Sequence, residues 1–198
     1  MSVGLAATAL AARDILGMAV GYGVGLLLLQ AGAAKLRHRR LLPGVIANYR
    51  LLPDALVDPF ARVLPIAEIT IGVALIAGIG GPAAIAAATL LLGFAAAMAV
   101  NIARGRSHID CGCGLSQLRQ PLRWPLVWTN VALAALLLLG TLPVSAPSLA
   151  APAFLERVTA AAAGAGLFLL VLLFNALGAI ALSPIAAKRL SPIAAKRK

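Results

Sequence analysis

Long apolar runs are the feature that most constrains what this chain can fold into. A helix needs about 20 mainly apolar residues to cross the hydrocarbon core of a bilayer, and runs near this length recur between Ile15 and Leu182. Hydrophobic residues make up 62% of the sequence and charged residues 12%, against roughly 45–50% and 25% in soluble domains. The sequence therefore predicts an all-α integral membrane protein.

The apolar runs predict a bundle of about five transmembrane helices in a single domain, residues 1–182. The predicted spans are 15–34, 61–79, 83–103, 124–142 and 158–182. The intervening segment Leu41–Pro59 is predicted to be a loop, with a short interfacial helix in its amphipathic part, GVIANYRLL. The short turn at residues 78–82 predicts that the second and third spans are antiparallel neighbours. The basic tail, 183–198, contains a second copy of LSPIAAKR, which is either natural or introduced during cloning.

The net charge of +11 does not indicate a nucleic-acid partner. The Lys and Arg residues lie between the predicted spans, and no nucleic-acid-binding motif or aromatic-interleaved basic surface accompanies them. Membrane topology and anionic lipid headgroups explain these charges better. With five spans, all basic residues except Arg13 and Arg157 share one side with the cysteines. The positive-inside rule would make that side cytoplasmic.

Two features inside the predicted spans bear on packing and function. Gly17, Gly21 and Gly25 are spaced by four residues, which predicts close packing of the first helix. Glu68 is an ionisable group within the second span, and such groups are costly there and usually face the bundle or a wet cavity. Two interpretations of Glu68 stay open: a functional group, or a structural group that pairs with Lys35 or Arg62 or bonds a neighbouring helix as the protonated acid.

The segment Ala103–Leu115, ARGRSHIDCGCGL, contains both cysteines of the chain. Cys111 and Cys113 are one residue apart, which allows three chemistries. They could form a strained, exchangeable disulfide, they could bind zinc or copper together with His108, or they could be inert or lipidated. Redox chemistry is favoured over metal binding because a fourth good ligand is missing.

The neighbours of the cysteines fit the redox interpretation. The basic residues Arg104, Arg106 and Arg119 would favour a nearby thiolate. Asp110 opposes a thiolate by like charge, but it is a candidate proton acceptor. His108 is a candidate base, although a polar residue at the membrane interface is the simpler interpretation.

Three segments give the chain a resemblance to a known family. The run NIARGRSHIDCGCG, from Asn101 to Gly114, resembles the signature segment of the methylamine utilisation protein MauE family, a branch of the DoxX-like membrane proteins. The segments Gly32–Pro53 and Leu64–Ile76 are similar to the same family in order and spacing. The Cys-Gly-Cys-Gly run after Arg-Gly-Arg is the most specific of these signals.

The resemblance implies a function in protein maturation. MauE-like proteins are associated with maturation of the small subunit of methylamine dehydrogenase, a periplasmic protein rich in disulfides, and with MauD, a thioredoxin-like partner. On this chain, Cys111 and Cys113 would be the pair that exchanges with such a partner. The expected location is the bacterial inner membrane, and the expected fold is similar to the four-helix core of vitamin K epoxide reductase-type oxidoreductases.

The chain departs from those oxidoreductases in ways that leave alternatives open. They use Cys-x-x-Cys and often a second pair in the first large loop, whereas this chain has Cys-x-Cys and no cysteine in 35–59. A partner must therefore supply the second dithiol, and a quinone near Glu68 is expected as electron acceptor by analogy alone. A non-enzymatic scaffold with a structural disulfide is the main alternative. The family role favours a periplasmic cysteine segment, against the charge distribution.

Overall fold

The computed structural model describes residues 2–109, 121–141 and 154–181, and these residues form six α-helices. The helices are α1 Ser2–Arg37, α2 Leu42–Tyr49, α3 Asp54–Ile76, α4 Gly80–Ala103, α5 Trp124–Thr141 and α6 Phe154–Ala181. The tail beyond residue 181, with its repeated unit, lies outside the described residues.

Four of the described helices are long and apolar enough to cross a membrane. The candidate spans are Ala12–Arg37, Asp54–Ile76, Gly80–Ala103 and Phe154–Gly178, and α5 contains a shorter apolar helix, Trp124–Gly140. Length and composition thus support a membrane protein. That α5 also crosses the membrane, which would make five transmembrane helices, stays a prediction.

Helix α1 is the centre of the bundle. It packs against α3, α5 and α6, while α4 packs mainly on α5. The largest buried cluster joins α1, α3, α4 and α5 through side chains such as Val24, Leu28, Leu75, Ala87 and Leu133. Alanines on α4 supply much of this cluster, so α4 approaches its neighbours closely.

Glycines set how closely α1 approaches its partners. A Cβ built on Gly25 would lie 2.8 Å from Ile76 Cγ1 and 3.0 Å from the Gly72 carbonyl oxygen, so α1 and α3 are in backbone contact there. Gly17 also faces a glycine, Gly140 of α5, but less tightly, since a Cβ on Gly17 would lie 3.6 Å from Gly140 Cα. The prediction of close packing therefore holds for Gly17 and Gly25. It is wrong for Gly21, whose Cβ would have no neighbour within 4 Å among the described residues.

The segment predicted as a loop before the second span is mostly helical. The short predicted helix is present as α2, but α3 already begins at Asp54 and contains Pro59 and Pro65. The loop prediction was wrong beyond Pro53 because Pro59 does not end the helix. A proline costs one backbone hydrogen bond, which helices in a membrane bundle tolerate when neighbouring groups compensate. Asp54 also suits the first turn, where the helix dipole favours an anion.

The turn between α3 and α4 is as short as the sequence predicts. Gly78 has a φ of 76°, and the Ile79 amide donates to the Ala74 carbonyl (3.0 Å) while the Gly78 amide donates to Leu75 (3.1 Å). This is a Schellman motif, in which a left-handed glycine satisfies the last carbonyls of a helix. The two helices contact each other, but an apolar groove separates them over much of their length.

Candidate functional site

The cysteine segment leaves α4 through a second Schellman motif. The Gly105 amide donates to the Ile102 carbonyl (2.9 Å) and the Arg106 amide donates to the Asn101 carbonyl (2.9 Å). Gly105 has a φ of 72°, a conformation that costs an L-residue energy because of its Cβ. The glycine of the Arg-Gly-Arg motif is therefore required by the backbone, since it turns the chain at the end of α4.

A hydrogen-bonded stem joins the chain just before the cysteines to the chain that follows them at Leu122. The Leu122 amide lies 2.9 Å from the Ser107 carbonyl oxygen and 3.3 Å from that of Ile109. The side chains of Ile109 and Leu122 are buried in one cluster with Met98 and Leu126. Ile109 and Leu122, which precede and follow the cysteines, are therefore held together where α4 ends and α5 begins.

Arg106 connects this stem to α2. Its guanidinium donates to the Asn48 carbonyl (2.6 Å), to the Tyr49 carbonyl (3.5 Å) and to Asn101 Oδ1 (3.2 Å). Asn101 is fully buried and donates to the Ala97 carbonyl (3.0 Å). A cation on the last carbonyls of a helix satisfies groups that the helix cannot pair internally. Arg106 therefore links the cysteine segment to α2. The sequence predicted only that Arg106 would favour a nearby thiolate, so this structural contact was not expected.

Sequence reasoning missed Asn101 and the carbonyls of α2. The available signal for Asn101 was a polar residue within an apolar helix, five positions before a motif arginine. No local signal points to Asn48, because its backbone and not its side chain makes the contact.

The other predicted site residues fall into two groups. Arg104 and His108 are exposed at the stem. Asp110, Cys111, Cys113 and Arg119 lie outside the described residues, so their geometry stays a prediction. Within the described ranges, no group of three or more His, Cys, Asp or Glu residues is placed to hold a metal ion. The metal alternative at Cys111, Cys113 and His108 still depends on a metal analysis of the purified protein.

Glu68 forms a buried ion pair with Lys35. Lys35 Nζ donates to Glu68 Oε1 at 2.7 Å, and the two residues are 9% and 0% exposed. Lys35 Nζ also lies 5.5 Å from the centre of the Phe94 ring, within the range of a cation–π contact. Arg62, the other predicted partner, is exposed. Of the structural alternatives for Glu68, the pair with Lys35 is therefore the one observed.

A mostly apolar cavity of about 300 Å³ lies beside this ion pair and is lined by residues of α1, α3, α4, α5 and α6. Its polar lining side chains are Gln30, Lys35, Glu68, Thr129, Asn130 and Asn175. Glu68 Oε2 and Asn175 Oδ1 are buried and have no hydrogen-bond partner among the described residues. Unpaired buried oxygens are costly. The cavity therefore suits water or another hydrogen-bond donor.

Comparison with known proteins places the chain in a family. Residues 13–143 match the family model described as methylamine utilisation protein MauE, which is well over half of the 198 residues. The chain belongs to the MauE family. A methylamine utilization protein MauE from Paracoccus denitrificans is 40% identical over 166 residues, which cover 83% of this chain and 88% of that protein.

Two further MauE relatives show similar identity. The one from Methylorubrum extorquens is 43% identical over 123 residues, covering 61% of this chain and 66% of the relative. The one from Paracoccus versutus is 39% identical over 153 residues, covering 76% of this chain and 80% of the relative. No solved structure matches the chain, so the expected similarity to vitamin K epoxide reductase-type bundles stays a prediction.

The MauE match covers both the cysteine segment and the elements that hold it. Its range includes Glu68, Lys35, the Arg-Gly-Arg motif and the helices from α2 to α5. Helix α6 follows the matched range and supplies Asn175 to the cavity beside Glu68. The stem, the Arg106 contacts and the ion pair are thus built within the part of the chain that defines the family.

Proposed function

We propose that this MauE protein is a membrane thiol–disulfide exchange protein in the biogenesis of methylamine dehydrogenase. Its partner in this reaction would be a thioredoxin-like protein of the MauD type, and the protein served would be the small subunit of the dehydrogenase. Family membership supports the setting in methylamine utilisation. The Cys-x-Cys pair supports the chemistry, since closely spaced cysteines form exchangeable disulfides.

The observation that carries the proposal is the fixed stem of the cysteine segment. Cys111 follows Ile109 by two residues, and two residues of extended chain span at most about 7 Å. Ile109 is itself buried and its carbonyl is bonded to the Leu122 amide. Chain connectivity therefore limits Cys111 to within about 7 Å of this buried, hydrogen-bonded residue, which would suit presentation of the pair to a soluble partner.

The proposed exchange is balanced without a further oxidant. A thiolate of one protein attacks a disulfide sulfur of the other and forms a mixed disulfide, and the displaced sulfur leaves as a thiolate that takes up a proton. The second thiol then attacks the mixed disulfide. One disulfide is reduced to two thiols while the other pair loses two electrons and two protons.

The residues near the stem would support this exchange in different ways. Arg104 and His108 are exposed at the stem, where a cation would favour a nearby thiolate and an imidazole would accept a proton. Arg106 is engaged with α2 and Asn101, so it positions the segment.

The cavity beside Glu68 has no feature that singles out a quinone. Among its described groups, Glu68 Oε2 and Asn175 Oδ1 are hydrogen-bond acceptors without a partner, and the oxygens of a quinone ring are acceptors too. Lys35 Nζ has three N–H donors, one of which is bonded to Glu68 Oε1, so it could serve water as well as a quinone. The proposed exchange therefore includes no quinone step.

Trapping a mixed disulfide tests the proposal. The trap is a thioredoxin-like MauD-type partner whose second redox cysteine is changed to Ser and whose remaining cysteine is held as a mixed disulfide with thionitrobenzoate, which leaves when a thiolate of the reduced chain attacks. The conjugate should be lost in Cys111→Ser or in Cys113→Ser, whichever removes the reacting sulfur, and should accumulate in the other variant. The double variant Cys111→Ser/Cys113→Ser should form none. Ser107→Ala, in the same segment but without a change of sulfur, is the matched control. A conjugate that persists in the double variant would contradict the proposal.

A scaffold that holds its partner is the second candidate function. Arg106 and Glu68, two of the residues predicted to support catalysis, have structural partners instead, which is what a scaffold without catalytic chemistry would require. The double cysteine variant separates the two functions. If dehydrogenase maturation in cells continues with Cys111→Ser/Cys113→Ser and stops with Arg106→Gln, the scaffold is the correct function.

A further inference from the structure

An apolar groove of about 610 Å³ lies between α3 and α4 and beneath α2. Its lining is almost entirely aliphatic and aromatic, and Lys35 reaches it from α1. Phe60 and Leu51, two of the lining residues, are 43% and 40% exposed. The groove is therefore open at the side of the bundle, where a membrane would supply hydrocarbon.

The groove has the length of one bilayer leaflet. Its lining extends along α4 from Ala86 to Met98 and along α3 from Phe60 to Ile71. At 1.5 Å per residue these stretches are roughly 16–18 Å long. One leaflet contributes about 15 Å to the hydrocarbon core, half of the total of about 30 Å. A single acyl chain that runs from the headgroup region toward the midplane matches this length.

A cationic rim of four exposed arginines flanks α2, the helix whose Leu42, Val45 and Ile46 line the groove. Arg37, Arg39 and Arg40 lie just before α2 and Arg50 directly after it, and all four are exposed. The acidic groups nearby in sequence are Asp54 and Asp58, on the first turns of α3. The rim therefore has an excess of positive charge beside an apolar slot, which is the arrangement that binds an anionic lipid headgroup.

We propose that this groove is a binding site for an anionic glycerophospholipid. One acyl chain occupies the groove beneath α2, and the phosphate contacts the arginine rim formed by Arg37, Arg39, Arg40 and Arg50. Because Arg106 donates to the last carbonyls of α2, the bound lipid and the start of the cysteine segment would contact the same short helix. The site is independent of the cysteine chemistry.

Native mass spectrometry of the full chain in detergent tests the site with two probes, dioleoyl phosphatidylglycerol and dioleoyl phosphatidylcholine. The wild type should retain one phosphatidylglycerol in preference to phosphatidylcholine. Each arginine near an anionic surface contributes about fivefold to affinity, so Arg39→Gln/Arg40→Gln should weaken phosphatidylglycerol binding roughly 25-fold and leave phosphatidylcholine unchanged. An unchanged preference in this variant overturns the proposal.

Filling the groove tests where the acyl chain lies. A Cβ on Gly93 would meet no described atom within 4 Å, so Gly93→Leu places its side chain in the groove and should abolish retention. Gly166→Leu is the matched control, since Gly166 lies on α6, is exposed and has equally open space. If Gly93→Leu fails to fold, Ala97→Leu, also in the lining, replaces it. If Gly93→Leu retains phosphatidylglycerol as well as the wild type does, the lipid assignment is wrong. It is also wrong if inorganic phosphate displaces phosphatidylglycerol as effectively as added phosphatidylglycerol does.

Discussion

Lys35 and Glu68 show how single residues are stabilised inside this bundle. A buried carboxylate or ammonium is costly without a partner, and the 2.7 Å contact supplies one for each. Phe94 adds its ring face to the same ammonium. The pair also joins α1 to α3 next to Gly32, where a Cβ would lie 2.9 Å from the Pro65 carbonyl oxygen. A change at either residue therefore affects the charge balance and a close contact between α1 and α3 together.

Breaking this ion pair should destabilise the protein strongly. Glu68→Leu leaves Lys35 buried without its counter-ion, and Lys35→Met does the same to Glu68, so each should cost about 3–5 kcal/mol in the free energy of unfolding. The double variant Lys35→Met/Glu68→Leu should recover most of that loss. Denaturant unfolding in detergent measures the cycle, with Arg62→Gln, exposed on α3, as the control. Additive losses in the double variant would show that the two groups are not coupled.

The helices pack through small residues because the apolar surroundings give little other driving force. In a membrane, helix association depends on close van der Waals contact, which glycine allows. Gly25 against Gly72 joins α1 to α3, and Gly23 against Gly164 joins α1 to α6. The glycines of α1 thus serve different partners, so their spacing alone does not define one interface.

Adding a single methyl group should distinguish a glycine at a close helix contact, Gly25, from one without a neighbour among the described residues, Gly21. Gly25→Ala places a Cβ 2.8 Å from Ile76 Cγ1, and overpacking of this kind costs about 1–3 kcal/mol. Gly21→Ala, one turn away with open space, should be neutral or stabilise by up to about 1 kcal/mol because the unfolded chain loses freedom. Thermal unfolding of both variants in one detergent makes the comparison. Equal unfolding temperatures would refute the assigned α1–α3 contact.

At the scale of the whole molecule, long-range contacts define two ends of the bundle. Arg106 reaches the Asn48 carbonyl and Arg123 reaches the Asn175 carbonyl, so α2, the stem and the later part of α6 share one end. Arg13 donates to the Leu139 carbonyl at the other end. Arg106 and Arg123, which lie on either side of the cysteines in sequence, are therefore at the same end of the bundle, while the five-span arrangement stays a prediction.

Labelling in intact cells should place these two ends on opposite sides of the membrane. In a Cys111→Ser/Cys113→Ser background, Arg39→Cys marks the stem end and Gly80→Cys marks the other. A membrane-impermeant maleimide should label only one of the two, and the native cysteines should share the accessibility of Arg39→Cys. Labelling of the native pair from outside, only after reduction, would give the periplasmic disulfide expected of the family role. Labelling of both marker variants from outside would contradict the five-span arrangement.

The sequence by itself determined the class of the protein, its helices and its family. Unpaired backbone groups are too costly in hydrocarbon, so apolar runs of this length had to be helical, and the cysteine motif was specific enough to indicate MauE. Local rules also explain Gly78 and Gly105, because a left-handed turn after a helix favours glycine. The start of α3 at Asp54 was missed, since a proline is a weaker helix breaker where a bundle compensates for its lost hydrogen bond.

Only the tertiary structure decided which groups meet. The helices are apolar on most sides, so periodicity does not show which face points inward, and the partner of Glu68 depended on the rotation and register of α1 against α3. Arg106 meets a carbonyl 58 residues away, and Asn175 lines a cavity with Glu68 from another helix. Such contacts come from how the helices pack together, which the order of residues within each helix does not specify.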